Sequence, residues 1–223
     1  MLDRRVRRVV IARMHRCAVD VSRRLLEIGV AVAVLALSLP LLVLIALMIH
    51  IDSDGPALFR QQRLGRERRP FTLFKFRTMR AGADTTPHRE YVASLITQAD
   101  APSRRRLYKL SVDDRVTRVG RFLRRWSLDE LPQLLNVLRG DMALVGPRPV
   151  IAYEVEHYPA SFLDRFAVKP GLTGLWQVSG RNERTYEEMV CFDLEYSRRR
   201  SLMLDLQILV KTLPVVFSRQ GVA

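Results

Sequence analysis

Between residues 28 and 51 the mixing of polar and apolar positions stops: IGVAVAVLALSLPLLVLIALMIHI contains no Asp, Glu, Lys or Arg. As a straight helix this run would measure about 36 Å, against a hydrocarbon core of about 30 Å. It is too long for the core of a signal peptide, and no A-x-A cleavage pattern follows it. It predicts a membrane anchor. Downstream the patterns shorten. DSDGP (52–56) reads as a turn, and ALFRQQ and FTLFKF read as two short strands joined through RLGRERRP at a Gly65 turn. PHREYVASLITQ predicts a helix within 82–106, capped by Thr86 with Pro87 in its first turn, and the segment ending in PSRRR predicts a loop.

TRVGRFLRRW (117–126) places Val119, Phe122, Leu123 and Trp126 at i, i+3, i+4 and i+7, with Arg118, Arg121, Arg124 and Arg125 between them. Such a helix suits a membrane interface or a core-facing surface position, and the neighbouring anchor favours the first, an interfacial amphipathic helix. LPQLLNVLRG (131–140) predicts a helix closed by Gly140, and DMALVGPRPV (141–150) a strand entering a rigid Pro-Arg-Pro turn. VKPGLTGLWQVSGRN (168–182) reads as a glycine-punctuated loop with a short strand. TYEEMVCFDLEYSRRR and SLMLDLQILVKTLPVVF read as two C-terminal helices, the second with Leu202, Leu206, Leu209 and Leu213 on one interfacial or core stripe. No repeat or interdomain linker interrupts the chain. The expected fold class is α/β (α+β), mostly helical. Its organisation is a basic interfacial segment (1–27), a membrane anchor (28–51) and one small catalytic domain (52–223) containing a short β-hairpin.

Charge decides how the anchor is read. Eight arginines lie between residues 4 and 24, and six arginines plus Lys75 lie between 60 and 77. Positive charge marks the cytoplasmic side, so a simple span would export one cluster, whereas a helix that enters and returns would export neither. Pro40 sits near the middle of the run, where its missing N–H favours a break, and Ser38 is close enough to satisfy a freed carbonyl. A single span with a tolerated kink and a re-entrant hairpin bending at Ser38 and Pro40 both fit these residues.

The 223 residues are 48% hydrophobic and 27% charged, which excludes a disordered chain and a polytopic membrane protein. The net charge of +14, from 37 basic against 23 acidic residues, implies an anionic partner: nucleic acid, acidic lipid or a phosphorylated substrate. Cys17 and Cys191 read as free thiols in a reducing compartment. The four histidines (15, 50, 88 and 157) lack zinc-site spacing.

Against this basic background SLDELP (127–132) sets Asp129 and Glu130 side by side after an arginine-rich turn. Ser127 and Glu130 have capping-box spacing, Pro132 fits a first turn better with Asp129 as the cap, and a helix start near Ser127 or Asp129 is one reading of the pair. The other is chemical: a helix N-terminus favours phosphate, magnesium takes one or two carboxylates plus substrate phosphate oxygens, and an aspartate can attack phosphorus. Arg148, between Pro147 and Pro149, is either a surface-turn residue or a guanidinium held for phosphate. Lys75 and Arg77 in KFRTM are strand-end charges on the plainer reading.

KFRTM (75–79), RVGRFLRRWSLDELPQLLNVLRGDMALVGPRP (118–149) and KPGLTGLWQVSGR (169–181) resemble the bacterial sugar transferases of the monotopic phosphoglycosyl transferase superfamily, which begin exopolysaccharide and lipid-linked glycan assembly. The likeness runs from about residue 20 to the C-terminus. It implies an enzyme moving a sugar 1-phosphate from a UDP-sugar to polyprenyl (undecaprenyl) phosphate with release of UMP. By that resemblance Asp129 is the nucleophile of a ping-pong reaction through a phosphosugar–enzyme intermediate. Glu130, with Asp129, holds Mg²⁺. Arg124, Arg148 with Pro147 and Pro149, Lys75 and Arg77 bind the donor's phosphate or nucleotide. The anchor is re-entrant, and the protein lies on the cytoplasmic face of the bacterial inner membrane. Two departures stand out: Leu39 separates Ser38 from Pro40, where relatives often have a Ser-Pro pair, and Trp126 occupies a position that more often holds a small polar residue. The resemblance also casts the chain as a minimal catalytic unit.

Two rivals remain at this stage: a membrane-anchored basic module that binds acidic lipid or nucleic acid, and a phosphatase using the same acyl-phosphate chemistry with water as acceptor. The first leaves SLDELP and GPRP unexplained and lacks aromatic platforms for single strands, with 8% aromatic residues, so no nucleic-acid partner is expected. Oligomeric state is open, a homodimer included, and the 80–112 insertion and the identity of the sugar have no reading.

Overall fold

The computed structural model describes residues 4–80, 82–84, 86–97, 114–180 and 184–218, with the backbone alone for 4–19 and 217–218. The PSRRR loop therefore lies outside the described residues. Helix α1 (Arg4–Asp52) takes in both the basic N-terminal segment and the apolar run, and remains helical through Pro40. From Asp20 to Asp52 it is long and apolar enough to cross a membrane. The Ser38 hydroxyl donates to the Val34 carbonyl (2.6 Å) and lies 3.4 Å from that of Leu35. The carbonyl that Pro40 frees is that of Ala36, four residues back, so Ser38 does not satisfy it as the sequence suggested. A hydroxyl bonded one turn back is instead a helix-bending contact.

Strands β1 (Leu58–Leu64) and β2 (Pro70–Phe76) form the expected antiparallel hairpin, with Gln61 opposite Leu73 and Arg63 opposite Phe71. The turn starts at Gly65 as expected, its carbonyl accepting from Arg68 N–H (3.1 Å) and its N–H donating to the Arg69 carbonyl (2.9 Å), but Gly65 is not its left-handed residue. Glu67 and Arg68 adopt the left-handed conformation, and Gly65 serves close packing, since a Cβ there would lie 3.3 Å from the Phe71 ring. Helix α2 (Thr86–Thr97) follows, one residue earlier than expected; Thr86 donates its N–H to Asp84. Helix α3 (Arg118–Arg125) is capped by Thr117, whose hydroxyl accepts from the Gly120 N–H. It buries Leu123 completely and leaves Phe122 about half exposed, so its apolar face serves both core and surface.

The capping box at Ser127 does not form. Ser127 is left-handed (φ 53°) with no side-chain cap, and residues 128–133 make a 3₁₀ helix rather than the start of an α-helix. Helix α3 ends two residues earlier, at Arg125, and the chain must reverse before α4 (Leu134–Arg139), which Gly140 closes at φ 88° as expected. Strand β3 (Ala143–Val145) pairs in parallel with β4 (Gly171–Thr173). Between them lie a short α5 (Ala152–Val155) and a 3₁₀ helix over 160–167, both absent from the sequence expectation. Helices α6 (Tyr186–Arg199) and α7 (Leu202–Ser218) complete the chain.

One core gathers Ala31 of α1, Phe71 and Leu73 of β2, Leu134 and Val137 of α4, Leu144, Tyr196 and Ile208. A second joins Ile45 and Ile49 of α1 to Phe76 and Leu123. Both arms of α1 thus rest on the same body, while Leu37, Leu39, Val43, Leu44 and Leu47 around Pro40 are exposed. On α7 the predicted stripe is mostly exposed at Leu202, Leu206 and Leu213, and Ile208 faces the core.

Candidate active site

Paired residues of a hairpin project to one side, so Gln61, Arg63, Leu73 and Lys75 share a face of β1–β2. At one end of that face, Lys75 Nζ lies 3.5 Å from Glu130 Oε1 in the 3₁₀ turn. Three residues per turn set neighbouring side chains far apart in direction: Asp129 is 8% exposed, whereas the Glu130 side chain is 41% exposed. Arg124 comes to the same region from α3, its Nε donating to Thr78 Oγ1 just beyond β2 (3.0 Å).

At the other end, Arg63 is buried and each of its three nitrogens has a partner. Nε and Nη2 reach Gln61 Oε1 (3.1 and 2.7 Å), and Nη1 reaches the Pro149 carbonyl (3.1 Å). The whole GPRP loop is held this way. Gly146 N–H donates to Thr173, the Pro147 carbonyl accepts from Gly171, and the Val150 carbonyl accepts from Leu64. The Arg148 N–H reaches Asp193, and its carbonyl accepts from Arg165 (3.4 Å). Gly171 is obligatory here, because a Cβ would fall 2.0 Å from the Gly146 nitrogen.

Beneath the loop lies a carboxylate that sequence reasoning missed. Glu154 is fully buried, with Oε1 3.7 Å from Arg63 Nη1 and Oε2 3.8 Å from Arg148 Nη1. Burial alone would raise its pKa, but Arg148 and Arg63 outweigh burial and hold it below the usual carboxylate range. Burial, reinforced by the like charge of Arg148, pushes Arg63 down to about 10. Arg165 and Asp193 form a second buried pair, both 1% exposed, and Tyr158 and Tyr186 link the two. Only Asp193 left a sequence signal: it falls on the same α6 stripe as Met189, Val190 and Tyr196, where an acid is out of place unless paired.

Of the expected site residues, Lys75, Asp129 and Glu130 come together around the 3₁₀ turn, with Arg124 beside β2. Pro147, Arg148 and Pro149 stand at the opposite end of the hairpin face. Arg77 points elsewhere: it donates to the carbonyls of Ser53 (2.7 Å) and Asp54, at the end of α1, where a cation suits a helix C-terminus. No cluster of three His, Cys, Asp or Glu side chains occurs among the described residues. The exposed Glu130 carboxylate is of the type that a hard cation takes together with water and phosphate oxygens.

Fold and site together define a basic α+β domain, built against a long apolar helix, with carboxylates near one end of a β-hairpin and an arginine held in a bonded loop near the other. The chain belongs to the bacterial sugar transferase family, whose profile matches residues 18–219. It is 45% identical over 167 residues to the undecaprenyl-phosphate galactose phosphotransferase of Salmonella typhimurium, an alignment covering 75% of this chain and 34% of that protein. It is 38% identical over 201 residues to the exopolysaccharide production protein ExoY of Sinorhizobium fredii (90% and 88% covered). It is 43% identical over 207 residues to the UDP-glucose:undecaprenyl-phosphate glucose-1-phosphate transferase of Caulobacter vibrioides (89% and 71%). The chain thus spans about a third of the Salmonella relative's length and most of the other two.

Proposed function

We propose that this protein transfers a sugar 1-phosphate from a UDP-sugar to polyprenyl phosphate, releasing UMP, as the first membrane step of exopolysaccharide or glycoconjugate synthesis. The observation that carries the reading is the hairpin face: Glu130 and Lys75 at one end, and Arg148 in a fully bonded loop at the other. Four residue steps separate Lys75 from the Arg63 position, about 13 Å along the strands. Asp129 supplies the carboxylate oxygen that attacks the sugar-bearing phosphorus, and the phosphoanhydride bond to UMP breaks. The polyprenyl phosphate oxygen then displaces Asp129, and the lipid diphosphate sugar leaves. One anhydride replaces another, so the work is positioning and charge neutralisation. Glu130, with Asp129, would hold Mg²⁺, which neutralises diphosphate charge when bound. Arg148 and Arg124 bind phosphate oxygens.

The anchor is read as re-entrant, with the domain on the cytoplasmic face of the inner membrane. Arg24 donates to the carbonyls of Val137 and Leu138 in α4 (2.7 and 2.9 Å), and the Asp52 carboxylate accepts from Val119 N–H in α3 (2.9 Å). A straight span would place these two contacts on opposite sides of about 30 Å of hydrocarbon, although α3 and α4 are nearly consecutive.

Intact-protein mass of the nanodisc-embedded chain with Mg²⁺ and a panel of UDP-sugars tests the chemistry. The expected result is a sugar-phosphate adduct that polyprenyl phosphate discharges and that Asp129→Asn never forms. No adduct and no UMP release with lipid present would overturn the reading. Cys17 and the exposed Cys191 flank the apolar run and test the topology: an impermeant maleimide should label neither in intact cells and Cys191 after permeabilisation. Labelling of one in intact cells would mean a span.

A further inference from the structure

Two prolines fix the backbone around Arg148, but they do not fix its side-chain torsions. An arginine that must meet a diphosphate needs its guanidinium aimed as well. Glu154 is placed to do this. Its two oxygens divide between two cations, Oε1 toward Arg63 at 3.7 Å and Oε2 toward Arg148 at 3.8 Å. Those separations are ion pairs rather than hydrogen bonds. The difference between the two arginines lies in what else they touch. All three nitrogens of the buried Arg63 guanidinium are engaged, by Gln61 and Pro149. The Arg148 side chain is 30% exposed, and the attraction of Glu154 does not consume its N–H groups.

Glu154 is itself held. Oε1 accepts from the Ile151 N–H (3.2 Å) and Oε2 from the Tyr186 hydroxyl (2.7 Å). Behind Tyr186 the donors run in one direction: Arg165 Nη1 to Tyr158 (2.8 Å), Tyr158 to Tyr186, Tyr186 to the carboxylate. The far end of that chain, the Arg165–Asp193 pair, also holds the Arg148 peptide on both sides. Side chain and backbone of one arginine are thus governed from a single buried network.

We infer that Glu154 is a positioning residue for the donor: it orients Arg148 electrostatically, leaving the guanidinium's N–H groups for the diphosphate, while Arg63 and Tyr186 keep the carboxylate in place. The inference rests on the phosphotransfer reading of Arg148. A buried carboxylate shared by two arginines is otherwise an expensive structural device, and the structural alternative makes a different prediction, loss of stability without selective loss of donor affinity.

The test compares wild type, Glu154→Gln, Glu154→Asp and Tyr186→Phe in nanodiscs, with UDP-glucose and UDP-galactose as donors. UMP release should show the KM for the donor raised about tenfold or more in Glu154→Gln, with kcat within about threefold and the KM for polyprenyl phosphate unchanged. Glu154→Asp, which keeps the charge, should recover part of the loss, and Tyr186→Phe should shift KM about two- to threefold. An activity-independent readout is the ¹⁵Nε resonance of Arg148, identified by its absence in Arg148→Lys, which should move or broaden in Glu154→Gln. Donor KM within twofold and an unmoved resonance would overturn the inference. So would a fall in thermal midpoint across all three variants with kcat, not KM, reduced. If wild type releases no UMP, the transferase reading falls, and the Arg148 resonance still decides the positioning. If Glu154→Gln fails to fold, Glu154→Asp and Tyr186→Phe carry the same comparison.

Discussion

The two ends of the hairpin face are built by opposite means. Around the GPRP loop nearly every peptide group is bonded, the cations beneath it are buried, and their counter-charges are buried with them. At the SLDELP turn Glu130 is open to solvent and meets Lys75 at 3.5 Å, a long contact between partly exposed side chains, which contributes little to stability. The contrast suits the proposed division of labour. A group that holds the donor's phosphates benefits from being fixed in advance, whereas Glu130 and Lys75, weakly paired and partly exposed, can exchange that contact for substrate during each turnover. It also separates the kinds of damage that substitution causes at each end.

The largest effect is expected at the SLDELP turn, where Asp129 is buried beside the exposed Glu130. Asp129→Asn should lower UMP release by about 10,000-fold or more while the thermal midpoint stays near wild type; a variant with substantial activity would remove Asp129 from the chemistry. Next comes the closed end. Asp193→Asn leaves Arg165 buried without its counter-charge, and breaking such a pair costs about 3–5 kcal/mol, so denaturant melts should show a large loss of stability. A melt unchanged from wild type would mean that the pair does not hold the loop. Lys75→Met should be milder, lowering kcat/KM about tenfold with little change in stability; a strongly destabilised variant would mean that the open end is structural after all.

The smallest effect is a pH limb. Glu154 has a folded-state pKa below its ordinary value of 4.5, so the unfolded chain takes up the proton first as the pH falls. Its contribution to stability is therefore present above about pH 4.5 and is lost as the pH drops through the folded value. Melts of wild type between pH 6 and pH 3 should show this acid loss, and Glu154→Asp should retain it. Glu154→Gln should lack that part of the slope; an identical slope in Glu154→Gln would assign the acid limb to other carboxylates.

The local patterns by themselves determined the apolar run, the hairpin, the helices α3, α6 and α7, and the two motifs that form the site. They did so because periodicity, proline and glycine act within a few residues, and because SLDELP and GPRP break the surrounding pattern. Where local rules compete, the tertiary structure decided. Ser127 had the spacing of a cap, but the reversal between α3 and α4 made it left-handed and left Asp129 and Glu130 in a 3₁₀ turn. Arg77 sat in a promising motif, yet the carbonyls at the end of α1 claimed it. Glu154, Arg63, Arg165 and Tyr186 lie up to 123 residues apart in sequence (186 − 63), and nothing in their neighbours announces them. A charge can be buried only where its partner is also brought, and that pairing exists only once strands, loop and α6 have packed together.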